Sequence, residues 1–222
     1  MASEERSTIR SDVLLMQFSR EPKAGQVKTR MLPYLTAEQA CDLHSELTLW
    51  TCRQLLASGL GAVELAVAGD RQHPLFARCQ QMGVSRILRQ KGADLGLRMH
   101  NAMRCALQRY SSVILVGSDC PDIDTHYLSL ALDALETASV VLGPATDGGY
   151  VLIGARAIKQ SIFQDIPWGT GQVFNTTIAR LTQAGVSWKA LPPLADIDRP
   201  DDLPLWKAHQ SECKREANAD LH

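Results

Sequence analysis

The feature that most constrains the fold is a short apolar run, residues 113–116, that ends in a group of acids. The run is rich in β-branched residues and has no polar position, which is typical of a strand buried on both faces of a sheet. Three carboxylates follow within six residues, at Asp119, Asp122 and Asp124. Open α/β folds bind ligands at the carboxyl edge of such strands. The sequence therefore predicts acids at the ligand-binding edge of a sheet.

Clustered carboxylates repel one another unless a cation or hydrogen-bond donors lie among them. One interpretation is a site of oxygen ligands for Mg²⁺ or Mn²⁺. The other is a solvated turn, in which an aspartate caps the helix predicted from Thr125 onwards. Because Asp119 directly follows the strand, we assign it to the candidate site, whereas Asp122 and Asp124 are assigned to the structural role.

Strands and helices alternate along most of the chain. The predicted strands are 12–18, 63–68, 86–88, 113–116, 140–143, 150–153 and 186–191, and the main predicted helices are 36–57, 74–82, 95–110, 126–136, 170–184 and 200–217. This alternation predicts an α/β fold of three layers with a mostly parallel central sheet. No linker, repeat or low-complexity segment interrupts it, so we expect a single domain whose ends, 1–10 and 218–222, are mobile.

Composition limits the function classes. The 222 residues carry a net charge of −1, which gives no reason to expect a nucleic-acid partner. No apolar run approaches the roughly 20 residues that span a bilayer, and the polar residues 1–12 do not resemble a secretory signal. The six cysteines are scattered and form no C-x-x-C pair, so we expect reduced thiols in a cytoplasmic protein.

The loop after the first predicted strand is rich in cations. Four of its residues are basic, namely Arg20, Lys23, Lys28 and Arg30. Gly25 permits close approach of the backbone, and guanidinium and ammonium groups pair well with phosphate oxygens, so the loop suits a diphosphate. It is not a Walker P-loop, because Val27 stands where that motif requires glycine. The alternative is a solvated basic loop; for the whole cluster we favour phosphate binding.

Two further stretches carry acids. The residues Asp147-Gly148-Gly149 predict a tight turn, where a ligand could lie against the backbone, although a plain β-hairpin turn explains them equally well. Asp196 and Asp198 follow the last predicted strand, and one of them could share a metal ion with the acid after residues 113–116.

Smaller candidates are single residues with good structural explanations. Asp94 can cap the helix that follows it, and Arg98 lies in the first turns of that helix. Trp168 is better explained as a packing residue, and Thr170 as a helix cap. These four residues are candidates for the site only in combination with the other stretches.

Six motifs in the same order resemble a bacterial family of glycosyltransferases. They are FSREPKAGQVKTR at 18–30, GADLGLRM at 92–99, GSDCP at 117–121, GPATDGGY at 143–150, WGT at 168–170 and DID at 196–198. The family resembled has the glycosyltransferase-A fold, is of the radical-SAM/selenodomain-associated transferase type and is similar to the molybdopterin cytidylyl- and guanylyltransferases. The resemblance runs from residue 18 to about residue 203. The ordered set is specific, whereas each motif alone is not.

The resemblance implies a nucleotide-diphospho-sugar transferase fold and a divalent metal, Mg²⁺ or Mn²⁺. It implies a metal ligand at Asp119 and a second acid at Asp196 or Asp198, and a phosphate-binding loop at residues 28–30. We assign nucleotide or phosphate binding to Arg20, Gly25, Lys28, Thr29, Arg30, Asp94 and Arg98. We assign the acceptor or sugar side to Gly148, Gly149, Tyr150, Trp168 and Thr170. The G-x-G-x-R opening of nucleotidyltransferases is replaced by residues 20–25, so base specificity is not transferred.

The leading interpretation is a metal-dependent transferase that acts on a nucleotide-activated substrate, most simply by glycosyl transfer from a nucleotide-diphospho-sugar to an unknown acceptor. Asp119, Lys28 and Asp147 are the expected catalytic residues: the first two act on the diphosphate side, and Asp147 orients or deprotonates an acceptor hydroxyl. Nucleotidyl transfer of the molybdopterin kind, hydrolysis of nucleotide sugars and a non-catalytic nucleotide-binding protein are the alternatives. The base, the acceptor and the oligomeric state stay open.

Overall fold

A seven-stranded sheet forms the centre of the structure, a computed structural model that describes residues 12–219. Its strands are β1 Val13–Arg20, β2 Ala62–Ala68, β3 Arg86–Arg89, β4 Ser112–Val116, β5 Val140–Pro144, β6 Tyr150–Ala155 and β7 Trp188–Ala190. Their spatial order is β3-β2-β1-β4-β6-β5-β7. Neighbouring strands are parallel, except that β6 is antiparallel to both β4 and β5. The predicted mostly parallel sheet is therefore confirmed.

Helices cover both faces of this sheet. They are α1 Ala37–Ser58, α2 Pro74–Gln81, α3 Leu95–Ala106, α4 Thr125–Thr137, α5 Val173–Gln183 and α6 Leu203–Ala219. One apolar cluster joins α1, α2 and α4 to the sheet, and a second joins α3 and α5 to its other face. Helix α6 packs mainly against α1 through a third cluster that includes Trp206 and Leu47. The predicted three layers are present.

Strand β4 shows why the apolar run was informative. Ile114 and Val116 belong to the cluster on one face of the sheet, and Val113 and Leu115 to the cluster on the other. All four side chains are buried, because β4 lies between β1 and β6 and has helices above and below. A central strand that is buried on both faces has no solvent-facing position, so its sequence does not alternate with polar residues.

Several element ends differ from the predicted ones. Helix α5 begins at Val173 rather than at residue 170, because residues 169–171 form a turn in which Gly171 lies against the backbone of the 147–149 turn. Helix α6 is preceded by a separate 3₁₀ turn, Pro200–Asp202. Helix α3 ends at Ala106, and β7 spans only three residues. The predicted mobility of 1–10 and 218–222 lies outside the described residues, apart from 218 and 219, which end α6.

Two bulk expectations can be compared with the described part of the chain. No helix within residues 12–219 is long and apolar enough to cross a membrane. The five cysteines in that range whose side chains are described, namely Cys41, Cys52, Cys79, Cys105 and Cys120, are free thiols.

Candidate functional site

A cleft of about 560 Å³ opens at the carboxyl ends of β1 and β4. Its wall brings together most of the cations and acids that the sequence singled out: Arg20, Lys28, Thr29, Arg30, Asp94, Arg98, Asp119 and Asp198. The cleft is at this edge because β1 and β4 are parallel neighbours, so the loops that follow them start side by side. Of the predicted phosphate-binding residues, Gly25 is the exception: it is exposed and is not part of the cleft wall.

The centre of the cleft is an ion pair between the basic loop and the loop after β4. The Nζ atom of Lys28 lies 2.6 Å from Oδ1 of Asp119 and also donates a hydrogen bond to the carbonyl oxygen of Ile197. The Lys28 side chain is only 3% exposed, whereas that of Asp119 is 44% exposed. The Oδ1 atom of Asp119 is itself buried, so the exposed part of the carboxylate is available to a ligand in the cleft.

The backbone of Lys28 is unusual. Its φ of 50° and ψ of 37° lie in the left-handed region, which residues other than glycine seldom adopt. Such a conformation costs on the order of 1–3 kcal/mol and persists where the surroundings impose it, which is common at functional sites. Here it turns the chain into the short 3₁₀ helix Thr29–Met31, while the buried ammonium group is held by two oxygen atoms.

Electrostatics at Asp119 favour the charged form. Partial burial alone would raise the pKa of this carboxyl, but the Lys28 ammonium group opposes it, with help from Arg20. The balance lowers the pKa of Asp119 below its ordinary value, so the group is a carboxylate at neutral pH. A carboxylate that stays charged beside an open cleft can bind a cation. A phosphate group would instead bind the basic residues of the same cleft wall.

The last loop reaches the cleft through a direct tie to the β4 loop. The backbone N–H of Ile197 donates to the carbonyl oxygen of Asp119, at 2.8 Å, which places the neighbouring Asp196 and Asp198 at the same edge. Asp202 fixes this loop by accepting hydrogen bonds from the backbone of Asp198 and Arg199. The acids on either side of Ile197 and the acid after β4 thus lie at the same edge of the sheet, although Asp196 is not part of the cleft wall.

Arg30 is bound to the second of these acids. Its guanidinium lies 2.5 Å from Oδ2 of Asp198 and donates a further hydrogen bond to the carbonyl oxygen of Gly169. The bond to Asp198 raises the pKa of Arg30, and the charges of Asp147 and Asp196 add to this effect. Because nearly half of the Arg30 side chain remains exposed, it can still present N–H groups to a phosphate.

Asp196 is influenced by the charges of three other carboxylates. Burial, together with the negative charges of Asp147, Asp119 and Asp198, raises its pKa to about 6. Such an acid is stabilised in its charged form by a cation, so the donor set fits a divalent metal. Among the described residues, no three His, Cys, Asp or Glu side chains form a closed metal site by themselves. Mg²⁺ typically takes one or two carboxylates together with substrate phosphates, which the open cleft allows.

His44 is a cleft residue that sequence reasoning missed. It lies on α1, is buried, and its Nε2 is 3.0 Å from the carbonyl oxygen of Arg20. Burial lowers its pKa, so the ring is neutral at pH 7, and the Nε2–H donates to Arg20. A lone histidine in a helical pattern gives no signal of its own; only its packing under residue 20 shows that it supports the basic loop.

The 147–149 turn joins β5 to β6, and its Asp147 lines a pocket together with Asp196 and Asp198. Oδ1 of Asp147 accepts a hydrogen bond from the backbone N–H of Gly149, at 2.8 Å. Gly148 has a φ of +90°, and its α-carbon lies against the backbone of Gly171. The turn is therefore a hairpin turn, as the structural interpretation predicted, and it also forms one wall of a second pocket beside the cleft.

Four of the five residues assigned to the acceptor or sugar side line this second pocket, whereas Gly148 does not. Tyr150 and Trp168 pack edge to face with ring centroids 6.2 Å apart, and Gly149 and Thr170 lie at the rim. The two pockets share Phe18, Leu95 and Gly117. One bound molecule can therefore extend from the charged cleft into the apolar pocket.

Three acids have structural roles that the geometry makes visible. Asp94 caps α3 by accepting from the N–H of Leu97, and Asp124 caps α4 in the same way. Asp122 lies 2.7 Å from Nε2 of His209 on α6. The structural assignment of Asp122 and Asp124 agrees with these contacts, whereas a nucleotide contact of Asp94 remains a prediction.

The strand order and the one antiparallel strand within the sheet define an α/β fold of the nucleotide-diphospho-sugar transferase type. A candidate nucleotide-diphospho-sugar transferase from Desulfovibrio desulfuricans G20 has this fold, with a TM-score of 0.75 and 29% identity over 85% of this chain and 83% of that one. Residues 51–170 match the family DUF2064, described as uncharacterized protein conserved in bacteria. The chain belongs to that family.

More distant structures share the fold alone. The 4-diphosphocytidyl-2C-methyl-D-erythritol synthase of Anaerococcus prevotii DSM 20548 is 9% identical, with a TM-score of 0.59 over 94% of this chain and all of that one. A CMP:2-keto-3-deoxy-manno-octonic acid synthetase complexed with CTP is 13% identical, with a TM-score of 0.56 over 91% of this chain and 99% of that one. No curated protein sequence matches the chain.

Proposed function

We propose that the protein is a divalent-metal-dependent transferase that takes a sugar from a nucleotide-diphospho-sugar and acts as a single cytoplasmic domain. The observation that carries the proposal is the Lys28–Asp119 pair at the carboxyl edge of β1 and β4, with Arg30 and two further acids around it. The site needs both acids and basic residues, because the acids would bind the metal ion and the basic residues would bind the negatively charged diphosphate. The relative from Desulfovibrio desulfuricans, whose described class is the same, supports this assignment.

Asp119 would hold the metal, Mg²⁺ or Mn²⁺, with Asp196 or Asp198 as the second acid. When bound, the metal would neutralise the negative charge of the diphosphate. Lys28 orients Asp119 by occupying its Oδ1 atom, which leaves the exposed part of the carboxylate towards the cleft. The metal-binding carboxylate would therefore be held in place by an ion pair rather than by a closed ring of acids.

The basic loop would bind the donor phosphates. Arg30 and Arg20 present guanidinium groups at the cleft wall, and Thr29 lies between Arg30 and the buried Lys28. Arg98, across the cleft, donates to the carbonyl oxygen of Gly92 through Nε and has further N–H groups available. These donors would stabilise the charge that develops on the nucleoside diphosphate as it leaves.

Asp147 would receive the acceptor proton. One of its oxygen atoms is used by the Gly149 N–H, and the other is free at the rim of the second pocket. Tyr150 is unsuited to this task, because burial raises the pKa of its hydroxyl and keeps it protonated at neutral pH. Asp147 lines the second pocket, so this oxygen could accept the proton of a hydroxyl group bound there.

Nucleotidyl transfer is the second candidate. It requires the same metal and cations, and the fold is shared with a synthetase that was solved with CTP. In that reaction the nucleotide would arrive as a triphosphate and diphosphate would leave. The resemblance to molybdopterin nucleotidyltransferases supports this alternative, and the replaced G-x-G-x-R opening at residues 20–25 weighs against it.

Product analysis would distinguish the two reactions. The protein is incubated with Mn²⁺, a panel of nucleotide sugars and nucleoside triphosphates, and a mixture of hydroxyl acceptors. Release of nucleoside diphosphate from a nucleotide sugar supports glycosyl transfer, whereas release of pyrophosphate from a triphosphate supports nucleotidyl transfer. The Asp147→Asn variant should bind the donor as the wild type does and lose transfer. Release of nucleoside diphosphate without any acceptor product would indicate hydrolysis instead.

A further inference from the structure

The second pocket has an apolar lining that is poorly matched to a sugar. Its volume is about 210 Å³, and most side chains that line it are aliphatic or aromatic. Phe18, Met99, Leu115, Ile153 and Val173 are among them. A polyhydroxylated acceptor needs several hydrogen-bonding side chains to replace its water, and each unpaired polar group costs free energy.

Few side-chain oxygen atoms in this pocket are open to a ligand. The hydroxyl of Thr170 donates to the carbonyl oxygen of Pro167 and accepts from the N–H of Gln172. The Tyr150 hydroxyl is buried, out of contact with the pocket space. Asp147 has one oxygen occupied by Gly149. A single carboxylate oxygen therefore remains as the free side-chain acceptor, which matches one hydroxyl group.

The aromatic wall is held by close packing. The ring of Trp168 packs against α3 so closely that a β-carbon at Gly96 would lie 2.9 Å from its Cζ2 atom. The same indole meets Tyr150 edge to face. Leu95, at the first position of α3, closes the rim and is 40% exposed. A fixed flat surface with an apolar rim is complementary to a flat apolar ligand.

On the basis of the proposed transfer function, we propose that the acceptor has a flat apolar body with one hydroxyl group, as in a phenol or an aromatic alcohol, rather than a sugar or polyol. The body fills the pocket between Trp168 and Leu95, and the hydroxyl lies at Asp147 beside the charged cleft. Its oxygen forms a bond to the anomeric carbon of the donor. The bond from that carbon to the diphosphate breaks, the electron pair leaves with the nucleoside diphosphate, and the proton passes to Asp147.

Binding of two probes tests the proposal. Titration calorimetry compares 2-naphthol with myo-inositol on the full chain. The variant Leu95→Asp places a charge at the rim of the pocket, in the first turn of α3, where an acid is compatible with the helix. The matched control is Leu32→Asp, because Leu32 is 37% exposed and is not part of the pocket wall. Trp168→Leu is a second pocket variant, in case Leu95→Asp does not fold.

We expect 2-naphthol to bind the wild type, with no measurable heat from myo-inositol. Leu95→Asp and Trp168→Leu should weaken naphthol binding by at least about tenfold, which corresponds to the loss of part of one buried apolar contact. Leu32→Asp should leave it unchanged. Absent naphthol binding, equal or tighter inositol binding, or naphthol binding that neither pocket variant weakens would overturn the inference.

A parallel titration with nucleotides and Mn²⁺ separates this inference from the proposed function. If nucleotides bind and 2-naphthol does not, the acceptor class is wrong and the transferase assignment stands. If 2-naphthol binds and no nucleotide does, the apolar site is real but the donor side of the proposed function fails.

Discussion

Lys28 Nζ lies 2.6 Å from Asp119 Oδ1, and this contact joins two loops that are far apart in the sequence. The lysine side chain is buried, whereas the aspartate side chain keeps an exposed part towards the cleft. The two residues therefore have different roles: Lys28 fixes the position and the charge of Asp119, and Asp119 presents that charge to a ligand. Replacement of Lys28 and replacement of Asp119 should therefore have different consequences. We make four predictions from the geometry around this pair.

Replacement of Lys28 by Met should weaken nucleotide binding. The variant loses a charge-assisted contact and leaves Asp119 without its partner, so we expect a loss of roughly 1.5–3 kcal/mol, or about one to two orders of magnitude in affinity. Calorimetry with Mn²⁺ measures it. Lys23→Met is the control on the same loop, because Lys23 is largely exposed and pairs with Glu21 outside the cleft. Equal affinity in Lys28→Met and Lys23→Met would remove Lys28 from the binding site.

Replacement of Asp119 by Asn should abolish the enhancement of nucleotide binding by Mn²⁺. The amide keeps the size of the side chain but removes the negative charge that a hard cation requires. Titrations with and without Mn²⁺ give the enhancement for each variant. Asp122→Asn, three residues later, is the matched control, because Asp122 pairs with His209 rather than facing the cleft. If Asp119→Asn retains the full enhancement, Asp119 has only a structural role.

The pKa of Asp196, about 6, predicts a pH-dependent stability. The unfolded chain has the ordinary value near 3.8, so the folded state binds the proton more tightly. Asp196 therefore lowers the free energy of unfolding as the pH rises from about 4 to about 6, and the penalty is complete above that range. Asp196→Asn should melt at a higher temperature than the wild type at about pH 7.5 and at the same temperature near pH 4, in buffers free of divalent metal.

Asp198→Asn supplies the comparison for that experiment. Asp198 pairs with Arg30 at 2.5 Å, so its replacement removes a favourable contact and should lower the melting temperature at pH 7.5. Opposite signs for the two neighbouring variants are the expected result. A decrease in stability for Asp196→Asn at pH 7.5 would show that the carboxylate is held by contacts stronger than the surrounding repulsion.

Replacement of Gly148 by Ala should destabilise the hairpin turn. Gly148 has a φ of +90°, and an added β-carbon would lie 2.2 Å from the carbonyl oxygen of Gly171, so the backbone must move. Gly25→Ala is the control, because Gly25 has a φ of +74° and open space around it. Each variant pays roughly 1–2 kcal/mol for the left-handed conformation. Gly148→Ala should cost at least about 1 kcal/mol more in urea unfolding. Equal destabilisation by Gly148→Ala and Gly25→Ala would mean that the 147–149 turn can move away from Gly171 without a cost in stability.

Much of the architecture could be predicted because it follows from local patterns. The apolar run at 113–116 and the alternation of strands and helices are local signals, and both β4 and the alternating elements are present. Errors fell at element ends: α5 begins three residues late because Gly171 packs against the 147–149 turn, a contact that no local pattern contains. His44 was missed for the same reason, since a buried histidine under a loop has no periodic signature.

The sequence by itself determined the alternation of strands and helices and the positions of acids and cations at strand ends, because period, charge and loop position are encoded locally. Tertiary structure alone decided which charges meet. The N–H of Ile197 bonds to the carbonyl oxygen of Asp119, and Lys28 reaches both residues. These contacts join three loops at one sheet edge, and they arise because parallel strands bring the loops together and burial then selects the partners that satisfy each buried charge.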